Sequence, residues 1–357
     1  MRRRARSALR IYFLVAPMSF SKSSIWLNRF GWLTAVATLF LICSGGMVTS
    51  KGVGLAVPDW PTSFGYNMFL FPASKWIGGI FFEHTHRLIA STVGFLTIIL
   101  AVWLWFSEPR RWVRMLGVTA VGAVIFQGVL GGLRVTMLKD EIGIFHACLA
   151  QAFFGLVVII ALVTSRAWRA PATITGTNRN LRTIAIITTA LIYLQLALGA
   201  TMRHQHRDLS ITDFPTAYGQ WIPDTSPAAI ARINAARDAL ALSDVSAAQI
   251  WLQMAHRFGA VLVAVGVIWF FASAHREKIS PFRGLSTAWL IAVFVQISLG
   301  AWTIWSNKAA DVATTHVAVG ATLLALGAII SAFSLRKNKM LPEFSSSQQV
   351  KSDPVVA

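Results

Sequence analysis

Residues 83–95 read EHTHRLIASTVGF and residues 253–266 read QMAHRFGAVLVAVG. Laid over each other, His86-Arg87 falls on His256-Arg257 and Glu83 on Gln253. Each stretch opens a long apolar run. Further along, Gln127-Gly-Val-Leu-Gly131 is answered by Gln296-Ile-Ser-Leu-Gly300, and His146 by His316. His86 and His146 are 60 residues apart, as are His256 and His316, and the two pairs are offset by 170. Self-similarity at a fixed distance marks a duplicated unit. Gly45-Gly46 and Gly199-Ala200 agree more weakly, and the longer second outer segment forces a gap there.

The unit reads as a membrane bundle. A membrane-spanning helix needs about 20 largely apolar residues. Eight runs qualify, at 30–50, 84–106, 113–134, 144–165, 181–202, 250–273, 284–305 and 312–335. Apolar residues make up 55% of the 357 and charged residues 13%, against about 25% charged in a soluble domain. This argues against a soluble enzyme and against disorder. The expected fold is all-α: a polytopic membrane protein whose eight transmembrane helices form two parallel four-helix-bundle repeats. Four spans per unit make both copies enter from one side, related by an axis along the membrane normal. The expected division is a basic cytoplasmic tail 1–29, an N-terminal repeat 30–165, a cytoplasmic linker 166–180, a C-terminal repeat 181–335 and a cytoplasmic tail 336–357.

A net charge of +18 suggests nucleic acid until the charges are placed. With a cytoplasmic N-terminus, the inside segments (1–29, 107–114, 166–182, 274–283 and from 336) hold 21 Lys/Arg and 4 Asp/Glu. The rest of the chain holds 11 and 10. That bias orients the chain N-in and C-in, in the inner (plasma) membrane, and leaves no nucleic-acid partner. The start, MRRRARSALR-IYFLVAPMSF, mimics a signal peptide, but its apolar stretch is short and no small-x-small site follows. It reads as a cytoplasmic tail, with Met18 an alternative start. Leu341–Ala357 is a polar tail. Outside, 51–82 contains VPDWPTSFGYNMFLFP and reads as a folded cap. Residues 203–249 carry Pro215, Pro223, Pro227 and an Ala-rich surface helix over Ala228–Ala248.

An ionisable side chain inside a span is costly and points to function. Spans two, four, six and eight run in one direction, each with its His near the start, so all four imidazoles share a depth near the outer face. Two imidazoles facing each other in an apolar four-helix core suit axial ligation of a heme iron. Zinc takes four ligands, or three and water. Cys43 and Cys148 lie in apolar runs with neither metal nor disulfide spacing. Gly128, Gly131, Gly132 and Gly300 leave room for a flat macrocycle, or serve helix packing. Arg87 and Arg257 are candidate propionate contacts, or snorkel to water. Glu83 shares a helical face with His86. A Glu moves protons where Gln253 cannot, so one working site is expected in the N-terminal half and one accessory redox site in the other. His84 points to another face and is no ligand. His204, His206 and His275 lack repeat partners and read as surface residues.

Glu83-x-x-His86-Arg87, PDWP at 58–61, Gln127-x-x-x-Gly131-Gly132, His146, His256-Arg257 and His316 together resemble the heme A synthase family, over residues 30–335. The resemblance implies an oxidoreductase that converts heme O to heme A, taking one porphyrin methyl to a formyl by successive hydroxylations, for aa3-type cytochrome oxidases. It implies His86 and His146 as iron ligands of the substrate heme, His256 and His316 as ligands of a resident heme b, and Glu83 as the catalytic acid. It also implies a protoheme farnesyltransferase as the partner supplying heme O. Self-association as a homo-oligomer is left open. Some bacterial members carry a cysteine pair in outer loops; SKGVGLAVPDWPTSFGYN has none. The expected chemistry is electron removal from the heme O methyl with water adding to the carbon, the electrons leaving by heme b. A membrane b-type cytochrome that only transfers electrons explains the paired histidines equally, but not the Glu83/Gln253 difference. A transporter fits parallel repeats but not the histidine level.

Overall fold

The architecture follows from apolar runs too long for a soluble core. The computed structural model describes residues 22–169, 179–205, 209–279 and 281–336. The N-terminal tail to residue 21 with Met18, linker residues 170–178, His206 and the tail from 337 lie outside the described residues. The helices are α1 (Lys22–Ser50), α2 (Gly78–Ser107), α3 (Arg111–Met137), α4 (Asp140–Thr164), the short α5 (Arg166–Arg169), α6 (Arg179–Gln205), α7 (Pro227–Asp238), α8 (Ala247–Arg276), α9 (Phe282–Trp305) and α10 (Ala310–Leu335). All but α5 and α7 are long and apolar enough to cross a membrane, at 24–30 residues. At about 1.5 Å per residue each exceeds the roughly 30 Å hydrocarbon layer. The protein is therefore all-α, with the expected spans inside these helices to within a residue.

Helices α1, α2, α3 and α4 close a ring, with α1 and α3 each against α2 and α4. Helices α6, α8, α9 and α10 close another, with α6 and α9 each against α8 and α10. The rings meet along α1–α10, α4–α6 and α4–α10. Accordingly α4 and α10 are the most enclosed spans, with Val157, Ile160, Ala161, Ala321 and Ile330 fully buried. Lipid offers apolar groups no reason to leave it, so packing and internal hydrogen bonds hold such helices together. Phe270 meets Phe282 and Trp289 edge-on, at 5.8 Å each, and Trp289 Nε1 donates to Leu323 O at 3.0 Å. Asn28 Nδ2 donates to Ala161 O across α1 and α4 at 2.6 Å.

At one end, the buried Glu108 joins Arg110 (2.6 Å) and Arg169 (2.9 Å). Burial pushes its carboxyl up, but the hydrogen bonds and charge of Arg110, with the charge of Arg169, hold it below the usual range. At the other end lie the two long loops, and they share a turn. Asp59 accepts from the Thr62 hydroxyl and from the N–H of Phe64 and Gly65. Asp213 accepts from Thr216, Tyr218 and Gly219 in the same way. Phe64-Gly65 and Tyr218-Gly219 take the same left-handed pair of conformations, and Trp60–Pro61 and Phe214–Pro215 are both cis. Burial raises each aspartate, yet the donated hydrogen bonds outweigh it and hold both below their ordinary 3.8. The Ala-rich segment is a correction: the helix expected over 228–248 stops at Asp238. Ala241 turns left-handed, Leu242 N returns to Arg237 O, and Ser246 and Gln249 form a capping box that starts α8 afresh.

Candidate functional site

Four imidazoles lie at the loop end, each seated on a glycine of the neighbouring helix. A Cβ on Gly45 (α1) would lie 2.9 Å from Cε1 of His86 (α2). On Gly131 (α3), Gly199 (α6) and Gly300 (α9) it would lie 3.2 Å from Cε1 of His146 (α4), His256 (α8) and His316 (α10). These contacts leave almost no room for a larger residue. The Nδ1 atom of every one of these rings is enclosed and without a partner. Nε2 of His86, His146 and His256 is not so enclosed, and Nε2 of His316 lies 3.3 Å from Gln296 Nε2. Glutamines fix the carrying backbone: Gln127 donates to His146 O at 2.8 Å and Gln195 to His256 O at 2.6 Å. His86 is within electrostatic reach of His146, and His316 of His256.

Among the described residues no group of three or more His, Cys, Asp or Glu gathers. Two imidazoles alone do not complete a zinc site. They do suit an iron already held by a macrocycle, which needs one ligand from either side. The enclosed Nδ1 and freer Nε2 fit that use. Of the glycines expected to admit a macrocycle, Gly131 and Gly300 seat the His146 and His316 rings, Gly132 lies under the Trp60 indole and Gly128 faces open space.

Glu83 is buried. Its Oε2 accepts from Val57 N at 2.9 Å and its Oε1 from Arg87 Nη2 at 2.8 Å. Arg87 spends its remaining terminal donors on the carbonyls of Val57, Asp59 and Thr62. The other half repeats this. Gln253 accepts from Ile211 N at 2.8 Å and donates to Ile211 O at 3.1 Å. Arg257 donates to the carbonyls of Asp213, Pro215 and Thr216. Glu83 and Gln253 thus hold their loops at matching points. His84 is fully buried, with Nδ1 3.2 Å from Ser63 Oγ and its ring against Phe71 and Trp76. His275 is half-buried, with Nδ1 3.0 Å from Phe271 O. Cys43 and Cys148 are free.

His204 is a correction. It closes α6 rather than lying on a surface loop, and it faces Gly143, where a Cβ would meet its Nδ1 at 2.7 Å. Two cations unmarked by the sequence reading join it, Arg134 and Arg203. The structure shows why they were missed: the expected spans end at 134 and 202, whereas the helices run on to Met137 and Gln205 and carry both arginines within their last turns. The loop match DWPTSFG (59–65) with DFPTAYG (213–219) was legible, at an offset of 154 rather than 170.

A family model described as COX15-CtaA, cytochrome oxidase assembly protein, matches residues 28–328. The chain is 31% identical to a heme A synthase of Shouchella clausii, over 57% of this chain and 68% of that one. It is 28% identical to a heme A synthase of Halalkalibacterium halodurans, over 82% and 92%. A heme A synthase of Shewanella oneidensis is 24% identical, over 88% and 97%.

Proposed function

The chain belongs to the COX15-CtaA family of cytochrome oxidase assembly proteins, and from that premise we propose that it acts as a heme A synthase. It is a multi-pass membrane oxidoreductase that converts heme O to heme A. We assign the substrate heme to His86 and His146 and a resident heme b to His256 and His316. What carries this assignment is the glycine-seated imidazole pair in each ring of helices, with every Nδ1 enclosed and Nε2 freer in His86, His146 and His256. On this reading 30–165 and 181–335 are two parallel copies of one four-helix unit. The basic bias of the inner segments supports heme sites toward the outer face and both termini inside.

Taking a methyl to a formyl removes four electrons and four protons and adds the oxygen of one water in net. Heme b, when bound, supplies a one-electron relay for what the substrate gives up. The chain positions the rest. His86 and His146 hold the substrate between α2 and α4. Glu83, one turn before His86, takes the proton or places the water that adds to the methyl carbon. Arg87 holds that carboxylate in place beside the loop through its 2.8 Å contact to Oε1. Arg257 keeps Nε for the propionate role read from its place after the ligand, whereas the terminal donors of Arg87 are committed to Glu83 and the loop carbonyls, so that a propionate there would have to displace one of them. A membrane protoheme farnesyltransferase is the fitting source of heme O.

Glu83 also favours a second reading. Because Gln253 clamps its loop as Glu83 does, the carboxylate could be an anchor in a cytochrome that only passes electrons. Glu83→Gln separates the two, since a glutamine there can hold Val57 as Gln253 holds Ile211. The full chain is expressed with a heme O-forming farnesyltransferase, and extracted hemes are identified by chromatography and mass. Wild type yields heme A or its hydroxymethyl precursor. Glu83→Gln yields unconverted heme O with the b-type spectrum intact. Full heme A yield from Glu83→Gln would sink the catalytic role, and heme B and heme O alone from wild type would establish the electron-transfer reading.

A further inference from the structure

Arg134 lies on α3, one turn past Gly131, the seat of His146. Its guanidinium crosses the loop at Gly54, where a Cβ would meet Nη2 at 2.9 Å, and α4 at Gly143, where it would meet Nε at 3.3 Å. His204 rests on that same Gly143, one turn before His146. Neither the Arg134 nor the His204 side chain makes a hydrogen bond or contact ion pair among the described residues, although Glu83 and Asp140 are within electrostatic reach of Arg134. Arg203, the residue before His204, reaches across to α1, donating to Gly46 O at 2.6 Å and to Ser50 Oγ. Its Nε is enclosed and unpartnered. Ser50 Oγ lies 3.5 Å from Thr314 Oγ1, two residues before His316. Arg134 is within electrostatic reach of His86 and His146, Arg203 of His316, and the two arginines of each other.

The repeat register makes both arginines exceptional. Gly131 and Gly300 set Arg134 opposite Thr303; Gly45 and Gly199 set Arg203 opposite Thr49. Both threonines only bond back to their own helices, at Leu299 O and Gly45 O. Each half therefore carries one extra cation where the other has a hydroxyl, and both face the junction of the halves. The Arg203 guanidinium, with its Nε enclosed and no ion-paired carboxylate, is costly to bury, and Arg134 sets a second fixed positive charge near it, with Glu83 and Asp140 in reach but not in contact. A carboxylate placed there offsets that cost and matches the guanidinium fork.

We propose that Arg134 and Arg203, with His204 beside them, form a carboxylate-binding junction that takes propionate groups of the tetrapyrroles held on either side, Arg134 serving the His86/His146 pair and Arg203 the His256/His316 pair. This rests on the heme-ligand assignment above.

The test uses the full-length protein reconstituted with protoheme or with its dimethyl ester, comparing wild type with Arg203→Gln, Arg203→Lys and Arg134→Gln. Wild type should hold the diacid at least about tenfold more tightly than the diester. Arg203→Gln should lose most of that preference at the b site and lower its midpoint potential, because a cation favouring the ferrous state is gone. Arg203→Lys should restore part of both. Arg134→Gln, which breaks no protein hydrogen bond and so tests the junction without endangering the fold, should leave the b-site potential near wild type and remove the preference at the substrate site. Unchanged preference and potential in both Gln variants, with the bis-imidazole spectrum retained, overturns the junction and leaves the ligand assignment standing. A diester bound as tightly as the diacid, with a potential that follows added chloride or phosphate, means a free anion fills the junction and also overturns it. A wild type with no bis-imidazole spectrum overturns both.

Discussion

Glycine is used at this site for what it lacks. Gly45, Gly131, Gly199 and Gly300 each give a facing imidazole the space of a missing side chain, so ring position is set by backbone contact rather than by a hydrogen bond to Nδ1. Gly45→Ala would put a methyl 2.9 Å from His86 Cε1, and overpacking of this kind costs about 1–3 kcal/mol. The expected outcome is a lower unfolding midpoint and lost heme O conversion, with heme b content unchanged. Gly128→Ala, into open space, is the control and should change neither. Equal heme A yield from both variants would show that the seat does not position the ligand.

The two long loops lie at the same end as the site, and each is tied down three times: by its aspartate turn, by Glu83 or Gln253, and by Arg87 or Arg257. The aspartates give the loops a pH dependence with a definite sign. Their folded carboxyls titrate below the ordinary 3.8. Their stabilisation is thus complete above that value and is lost as pH falls through the lowered one. Amide exchange in 57–66 and 211–220, corrected for intrinsic rates, should show protection that is flat from about pH 7 to 5 and falls only below about 4. Asp213→Asn should flatten the acid limb in its own loop alone. A loss of protection centred near neutral pH would point to a different group.

At the scale of the whole molecule, eight spans in two rings leave the loops at one end and the Glu108–Arg110–Arg169 cluster at the other. The orientation proposed from the basic bias of the connecting segments has the loop end outside. With Cys43 and Cys148, the only two cysteines, replaced by Ser, single cysteines report the orientation. A membrane-impermeant maleimide should label Tyr66→Cys in intact spheroplasts and Lys278→Cys only after lysis. The reverse pattern would invert the topology and move the heme sites to the cytoplasmic face.

The eight spans, the histidine pairs and their 170-residue offset were all legible in the chain, because length, hydropathy and repetition are properties of sequence alone. The loop repeat was in the letters too, but the offset there differs by 16 residues. The segment containing α7 falls between loop and helix and breaks the register. Other features belonged to tertiary structure. That Glu83 and Gln253 do one mechanical job depends on where Val57 and Ile211 come to rest. That Gly131 and Gly300 seat imidazoles depends on which helices become neighbours. Arg134, Arg203 and His204 lie far apart along the chain or on separate elements from what they face, and only the meeting of the two rings brings their charge together. Periodicity reports which face of a helix is apolar; it carries no information about which other helix that face will meet.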